Sequence, residues 1–570
     1  VILFQAIATA LALLALGVRA AGRQHRLLHL FQLEHYEPAR LMLWLRRRSE
    51  LILNWQLRGL ALIYAISGAT AAAGLHWLAG ALLLASTPIA VLGVRDWRRP
   101  AAKPLVFTAR ARRLLAVALT PSALLIVAAI ATIPSPTRIG TLGLALLLGA
   151  GWLLHLLSAY VLLAANWLLR PWQNAINRRY VNGAKAKLER VAPLVVGVTG
   201  SYGKTTTKFC LGAVLGEDRP TLVTPASFNS HLGVVRTINE LLTPEHQAFV
   251  VEMGMFRRGD IAELCELTHP KIGVITAIGP MHLERLGSIE AIEAAKAELM
   301  EALPPDGHLV TNGDDPRCLA IAQRSHVPVT LFAIDNEQAG VRASEIALVG
   351  GRTELELSLR SRANGPSPSS RGNELSLGGP TNGAAPQRIH VSAKLLGRHN
   401  VSNLLAAAAV AHVLGIEPAA IARSLGQVDA PEHRLASIQN RGAGIVVIDD
   451  AYNSNPDGAA AALEVLRQHE AQRRLLVTPG MVELGELEQE LNRRFGEQAA
   501  AVCDLVMLVG HRRTEPIHAG LIAAGMPEAD VHVVADLAEA TALLGKVRRS
   551  GDVILFENDL PDTYAEDSSQ

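Results

Sequence analysis

Cysteine is scarce in this chain. There are four among 570 residues, Cys210, Cys265, Cys318 and Cys503, far apart and with no C-x-x-C pair. That excludes a disulfide framework and a zinc ribbon and leaves isolated, reduced thiols. Charge is also sparse. Charged residues make up 19%, and 54 basic against 52 acidic side chains leave a formal net charge of +2. No surplus of one sign is available to bind a polyanion, so a nucleic-acid partner is not expected. The mean hydropathy of +0.23 is high. The surplus is local: almost all long apolar runs lie within residues 1–169. Length alone predicts three or four domains at about 150 residues each.

A helix needs about 20 mainly apolar residues to cross the hydrocarbon core. Five stretches qualify: 1–19, 58–75, 77–94, 114–133 and 141–168, the second and third reading as a hairpin turning near Gly74. Cations alternate along the chain. They are dense before the second stretch (Arg23, Arg26, Arg40, Arg46, Arg47, Arg48), before the fourth (Arg95 to Arg113) and after the fifth (Arg170 to Arg190). Between the fourth and fifth stands only Arg138. The positive-inside rule predicts an integral protein of the cell (inner) membrane, N-terminus outside and everything after 170 in the cytosol. The first run has no basic segment before it, unlike a cleaved signal peptide. Residues 20–57 are expected to lie on the membrane surface, and His155 to face a neighbouring helix.

The most informative stretch is Val195 to Thr207 (VVGVTGSYGKTTT), a β-branched run, a turn with three glycines, a lysine and three threonines. Such a turn brings backbone N–H groups around phosphates, the lysine meets the outer phosphates and a hydroxyl ligates Mg²⁺. The spacing departs from G-x-x-x-x-G-K-[ST], because position 198 is valine. Gly200, Ser201, Gly203, Lys204, Thr205 and Thr206 are the nucleotide-binding candidates. Downstream, apolar strands alternate with helices, which predicts a parallel sheet with ligand loops at the strand C-terminal ends. Lys204, Glu252 and His282 would share that rim, and a carboxylate and an imidazole near a triphosphate suit Mg²⁺. Singly, each has a plainer account. Glu252 reads as a strand-end charge, His282 as a helix cap, Asn312-Gly313 as a turn, Lys296 as a surface lysine on an acidic helix, and Asp450 as a helix N-cap.

Together with Thr224-Pro225, Phe228-Asn229, Glu252-Met253-Gly254, Thr276 to Glu284, Ala294-Ala295-Lys296, Asn312 to Pro316 and Gly397 to Asn403, this pattern resembles the ATP-dependent muramyl peptide ligases (Mur ligases). The MurF-like branch, which adds D-Ala-D-Ala to the muramyl tripeptide, is the nearest. The resemblance runs from about 191 to 550. It implies that Lys204 contacts the β- and γ-phosphates, that Thr205 and Glu252 hold one Mg²⁺, and that His282 helps hold a second. It implies a carbamylated Lys296 beside that second ion, and Asn312 and Asn400 at the adenine. In the C-terminal part, Asp449 to Pro456 resembles the family's signature, implying that Arg434 reaches the γ-phosphate and Asp450 the nucleotide. The implied reaction activates a carboxylate as an acyl phosphate, which the amine of an amino acid or peptide then attacks. Lys204, His282, Lys296 and Arg434 are the catalytic candidates.

The expected architecture is therefore multi-domain: a transmembrane helical bundle (1–190), a P-loop α/β domain (191–429) and a Rossmann-like α/β domain (430–570). Residues 361–388, rich in Gly, Pro and Ser, are expected to be a disordered insertion. Two departures from the family stand out. Where MurF-like enzymes carry Lys-Gly-Ser after the last strand, this chain has Glu557-Asn558-Asp559, acidic instead of basic, which points to a different amine. Where soluble Mur ligases carry a UDP-sugar domain, this chain has its apolar stretches, which points to the lipid bilayer as partner and to a polyprenyl-linked cell-envelope (peptidoglycan-type) substrate. A poly-γ-glutamate-type membrane ligase and a nucleotide-binding membrane scaffold are the alternatives. Nothing in the sequence decides the oligomeric state.

Overall fold

The computed structural model describes residues 2–34, 36–47, 55–92, 105–132, 138–281, 283–360, 386–431, 433–440, 444–451, 454–482 and 484–558. The chain divides into two compact units, one ending at Arg178 and the other beginning at Arg179.

In the first unit the Leu- and Ala-rich runs form α1 (Ile2–Leu33), α2 (Pro38–Arg47), α3 (Trp55–Ala72), α4 (His76–Leu92), α5 (Ala109–Thr132), α6 (Arg138–Leu156) and α7 (Ser158–Val191). α1 packs against α4, α5 and α6. Small residues let the helices approach closely, as in membrane proteins: a Cβ on Gly17 would lie 2.7 Å from Ile126 Cδ1, and one on Gly80 2.6 Å from Phe4 Cε1. The hairpin expected near Gly74 is present, with Gly74 at φ 82° and the Ser67 hydroxyl donating to the Ala79 carbonyl at 3.0 Å. His155 is buried, 3.4 Å from Arg23 of α1.

The expectation of five spans needs correction. Among the described residues two helical segments are long and apolar enough to cross a membrane, Leu3–Leu33 and Ala109–Ala128. A third arises only if Leu146–Leu156 and Ser158–Val191 count as one span, broken and bent by 76°. α3 and α4 form where spans were expected but are only 18 and 17 residues long, and α4 carries Pro88. The first stretch also does not stop at 19. α1 continues through Arg19, Arg23 and Arg26 to Leu33, absorbing part of the segment expected on the membrane surface.

In the second unit a nine-stranded sheet is built from β1 (Leu194–Thr199), β2 (Thr221–Val223), β3 (Ala248–Glu252), β4 (Ile272–Ile275), β5 (His308–Asn312), β6 (Val329–Ala333), β7 (Val341–Val349), β8 (Arg352–Leu359) and β9 (Gln387–Ala393). Its order is β2-β3-β1-β4-β5-β6-β7-β8-β9. Pairing is parallel as far as β7; β7-β8-β9 is an antiparallel extension. Alternation sorts the side chains to two faces. Val196, Val198 and Val250 pack under α8 (Lys204–Asp218), α14 (Arg398–Val413) and α15 (Pro418–Gln427). Val195, Phe249 and Val251 pack under α9 (His231–Leu241), α10 (Asp260–Thr268), α12 (Ile289–Glu301) and α13 (Pro316–Gln323), with α11 (Leu283–Leu286) just before α12. Of the expected insertion, 361–385 lie outside the described residues, whereas Gln387 and Arg388 open β9. They are ladder residues because β8, with every second side chain buried, needs a partner.

The second sheet comprises β10 (Ala436–Asn440), β11 (Ile445–Asp450), β12 (Arg473–Thr478), β13 (Leu505–Val509), β14 (Val531–Val534) and β15 (Asp552–Glu557), in the order β10-β11-β15-β12-β13-β14. All neighbours are parallel except β10 on β11. α16 (Pro456–Gln468), α17 (Glu488–Ala500) and α18 (Glu515–Ala523) cover one face and α19 (Leu537–Val547) the other. α17 and α18 touch through glycines. A Cβ on Gly496 would sit 2.2 Å from Ile517 O, and one on Gly520 2.0 Å from Arg493 O. Gly496→Ala and Gly520→Ala should each destabilise this part by about 1–3 kcal/mol, by forcing backbones apart. Calorimetry on the single variants checks this; unchanged unfolding midpoints would contradict it.

Candidate active site at the P-loop

The P-loop joins β1 to α8. Gly200 has φ +152° and Gly203 φ +77°, in the range that favours glycine. Space makes the same demand: a Cβ on Gly200 would lie 1.9 Å from Thr276 Oγ1, and one on Gly203 2.1 Å from Asn403 Oδ1. The loop is tied to the end of β4. Ser201 Oγ donates to Gly279 O and accepts from Gly279 N, both at 3.0 Å, and Thr276 Oγ1 donates to Tyr202 O. α8 has no side-chain cap. Its first N–H groups, and the positive end of its dipole, therefore face the loop, which suits a polyphosphate. Lys204 Nζ folds over the turn, donating to Gly200 O at 2.7 Å and Ser201 O at 3.2 Å. Burial pushes its ammonium down to about 8, against the pull of Glu252 and with the push of Arg434.

Glu252, at the end of β3, is the hub. Its Oε2 accepts from Thr205 Oγ1 (3.1 Å) and Lys208 Nζ (2.9 Å), its Oε1 from Asn229 Nδ2 (2.9 Å), and its N–H donates to Thr224 Oγ1 (3.1 Å). Burial alone would raise this carboxyl. Lys208, then Lys204, with hydrogen bonds from Lys208 and Asn229, outweigh it and hold Glu252 below the ordinary carboxylate range. Thr205 and Glu252 thus bring two hard oxygen donors together, a fit for Mg²⁺. Among the described residues no three His, Cys, Asp or Glu side chains cluster as a metal site, and His282 lies outside them.

Lys208 was missed by the sequence reasoning. It is one helical turn after Lys204, so both lysines lie on one stripe of α8. Its side chain is 0% exposed and also donates to Ala226 O.

Lys296 is not the surface lysine its acidic helix suggests. It is 2% exposed and lines the same cleft as the P-loop, Glu252, Arg434 and Asn455, a space of about 160 Å³. Its helix neighbour Glu298 turns instead to the Gly259 and Ala262 N–H groups. Burial above all, and then Lys204, hold the Lys296 amine well below its usual range.

The remaining candidates are more dispersed. Asn312, at the end of β5, donates to Thr276 O and accepts from Asp314 N, the turn geometry that an Asn-Gly pair suggests. Asn400 is buried in α14, donating to Leu396 O and accepting from Asn403 Nδ2; Asn403 Oδ1 in turn accepts from Thr207 Oγ1. This amide relay ties α14 to α8, and neither Asn312 nor Asn400 is among the residues lining the cleft. Thr206 lines it and is buried. Arg434 reaches it from the loop before β10, where His433 and Leu435 have positive φ. Asp450 is no N-cap, since Asn455 caps α16. Its Oδ1 accepts from Leu435 N at 3.0 Å, and it faces Glu557, its register partner on β15. Burial raises Asp450 to about 6 and Glu557 well above its usual range. Tyr452 and Asn453, and the acidic tail from Asp559, lie outside the described residues.

Two predictions follow from these charges. Lys208→Met leaves Glu252 buried without its cation and should cost about 3–5 kcal/mol, read as a lower unfolding midpoint; an unchanged midpoint would mean the pair is structurally idle. Asp450 and Glu557 bind protons more tightly folded than unfolded. Their contribution is fully present below roughly pH 4; the Asp450 part is lost as pH rises through about 6, and the Glu557 part as pH rises through its own raised value. Glu557→Gln should flatten that part of the stability–pH curve, and a curve of unaltered slope would contradict the assignment.

Comparison with known proteins accords with the geometry. Residues 198–411 match the Mur ligase middle domain, and residues 433–557 the Mur ligase, glutamate ligase domain. The UDP-N-acetylmuramoyl-tripeptide--D-alanyl-D-alanine ligase of Mycobacterium tuberculosis is 34% identical over 381 residues, covering 64% of this chain and 70% of that protein. Its Escherichia coli counterpart is 31% identical over 365 residues, covering 63% and 72%. The crystal structure of MurF from Acinetobacter baumannii superposes with a TM-score of 0.55 at 26% identity, over 67% of this chain and 77% of that one. With a nucleotide cradle, an acidic hub and a C-terminal arginine on one cleft, and both family domains in order, the chain belongs to the Mur ligase family of ATP-dependent, ADP-forming amide ligases.

Proposed function

We propose that this protein is a membrane-embedded amide ligase that joins a carboxylate of a peptidoglycan-type, polyprenyl-linked precursor to an amino acid or peptide amine. The observation that carries the catalytic part is the shared cleft, where the P-loop, Glu252 and Lys296 of one sheet meet Arg434 and Asn455 of the other. A carboxylate is a poor electrophile, and ATP supplies the phosphoryl group that makes it reactive. Lys204 and Arg434 offset charge on that group, while the first turn of α8 orients it. Thr205 and Glu252 would hold one Mg²⁺. Lys296, whose amine burial and then Lys204 hold well below its usual range, favours the amine form that adds CO₂. The resulting carbamate, with His282, would supply ligands for the second ion. Asp450 and the Arg434 loop act from the C-terminal sheet, on the 191–429 and 430–570 division read from the sequence.

The membrane part rests on α1 and α5. Leu3, Ile7, Leu11, Leu14 and Val18 form an exposed apolar stripe along α1, and Leu124, Val127 and Ile130 one along α5. Water disfavours stripes of that size and lipid does not. An outside N-terminus with a cytosolic P-loop requires an odd number of crossings, which the bent α6–α7 pair counted as a span provides. The apolar helices before residue 179 would take over the role of a sugar-nucleotide domain by holding a lipid-linked donor at the membrane.

ADP formation by the purified protein should require both a carboxylate and an amine, and Lys204→Ala should abolish it; hydrolysis indifferent to both would sink the ligase reading. Lys296→Ala should be restored in part by a short carboxylic acid, and an absence of rescue would remove the carbamate role. Mass spectrometry of co-purifying lipid should find a polyprenyl-linked peptide precursor, and release of the chain from membranes by an alkaline wash would contradict the embedding.

A further inference from the structure

The helical unit holds a polar cluster that the P-loop cleft does not use. Arg19 and Arg23 stand one turn apart on α1, beside Gln24. Opposite them, His155 and Ser158 flank the break at Leu157, where α6 and α7 meet at 76°. Of Arg19, Gln24, His155 and Ser158 none is more than 4% exposed, whereas Arg23 is half-buried and opens the cluster to the surface of the unit. Hydrogen bonds tie α1 to its neighbours here. Arg19 Nη1 donates to Ile89 O on α4 at 3.1 Å, Gln24 Nε2 donates to Ser158 O at 2.9 Å, and Arg23 Nη1 lies 3.4 Å from His155 Nε2. A guanidinium only donates, so His155 Nε2 accepts and the ring proton sits on Nδ1. That Nδ1, Ser158 Oγ and Gln24 Oε1 are buried and meet no hydrogen-bonding group among the described residues. Buried polar atoms are ordinarily paired, so three such atoms around one place point to a ligand.

The charge of the helices decides the sign of that ligand. α1, α4 and α6 contain no Asp or Glu, and the acid of α7, Glu189, stands near its other end. Ionisable side chains are costly inside an apolar helical unit, and where they occur they mark binding sites. His155 Nδ1–H and Ser158 Oγ–H add neutral donors to the two guanidiniums. A tetrahedral oxyanion, with several acceptor oxygens on one centre, suits such a set. The exposed apolar stripe of α1 ends at Val18, one residue before Arg19. A lipid chain lying against that stripe carries its head group to the height of the cluster, which free phosphate has no need of. We propose that Arg19, Arg23, His155 and Ser158 bind the phosphate of a polyprenyl carrier, with Gln24 Oε1 accepting from a hydroxyl or N–H of the group that the phosphate bears. This rests on the lipid-linked reading above and gives the carrier a place in the chain. Arg19 and Arg23 supply charge-assisted bonds, and His155 and Ser158 fix the orientation of the phosphate. These contacts are to the carrier phosphate and the group next to it, so the carboxylate-bearing peptide is not held by them.

Lipid binding to the full chain in detergent, read by native mass spectrometry without nucleotide, tests this. Polyprenyl phosphate should bind one per chain, and polyprenol, which has the same tail and no phosphate, about tenfold more weakly or worse. Arg23→Gln should weaken polyprenyl phosphate by about tenfold or more. Should that variant fail to fold, Ser158→Ala still decides. The Ser158 hydroxyl makes no hydrogen bond among the described residues, so its removal should leave the unfolding midpoint unchanged and yet weaken polyprenyl phosphate by about tenfold. Equal binding of polyprenol, or undiminished binding of polyprenyl phosphate by a folded variant, overturns the proposal. Displacement by an equal concentration of inorganic phosphate would assign the cluster to the free anion. Phosphatidylglycerol bound as tightly as polyprenyl phosphate would assign it to lipid headgroups in general. Either result overturns the carrier. Turnover of a lipid-linked donor that is indifferent to both substitutions overturns this site and leaves the ligase reading intact, whereas release of the chain from membranes by an alkaline wash removes the site together with the embedding.

Discussion

The buried pair of Glu252 and Lys208 is the interaction on which the site depends. Neither side chain is solvated, so each is tolerated only because the other is there, with Asn229, Thr205 and the Ala226 carbonyl taking the remaining hydrogen bonds. The pair clamps α8 to β3 directly beneath the P-loop. The loop's height above the sheet, the aim of the α8 N–H groups and the position of Thr205 all follow from it. As a Mg²⁺ ligand, the role the sequence pattern implies, the hub would come with a built-in counter-cation. Glu252 remains ionised however deeply it is buried.

Around that clamp the cleft is electropositive by design of burial more than by number of charges. Lys204 and Arg434 are its cations. Lys296 is there as well, its amine held well below its usual range by burial above all and then by Lys204. The result is a site with charge for a polyphosphate. On the C-terminal side the balance reverses. Asp450 and Glu557 gather at one sheet edge, where Arg434 acts on both the phosphate site and the carboxyl pair.

The helical unit shows why counting apolar runs overstates crossings. Composition detects every stretch that avoids water. It does not report helix length, breaks or side-chain burial. α3 and α4 are apolar but short, α6 and α7 are separated at Leu157, and α1 is longer than its apolar run because its arginines continue the helix. Buried contacts such as His155 against Arg23 let polar groups persist in an apolar unit.

Much of the catalytic fold was legible from residues alone. Glycine at positions that need positive φ, β-branched runs at period two and the order of the motifs are local properties, and they determined the P-loop, the strands flanking it and the family. Local chemistry also determined that Asn312-Gly313 forms a turn. Tertiary structure decided the rest, because it sets which charges lose water and which meet. Lys208 is a lysine like any other in the sequence until β3 brings Glu252 onto it. Lys296 is an exposed residue by its helix pattern and a buried one by its packing. Asp450 and Glu557 are 107 positions apart along the chain, and only the parallel pairing of β11 with β15 makes them neighbours.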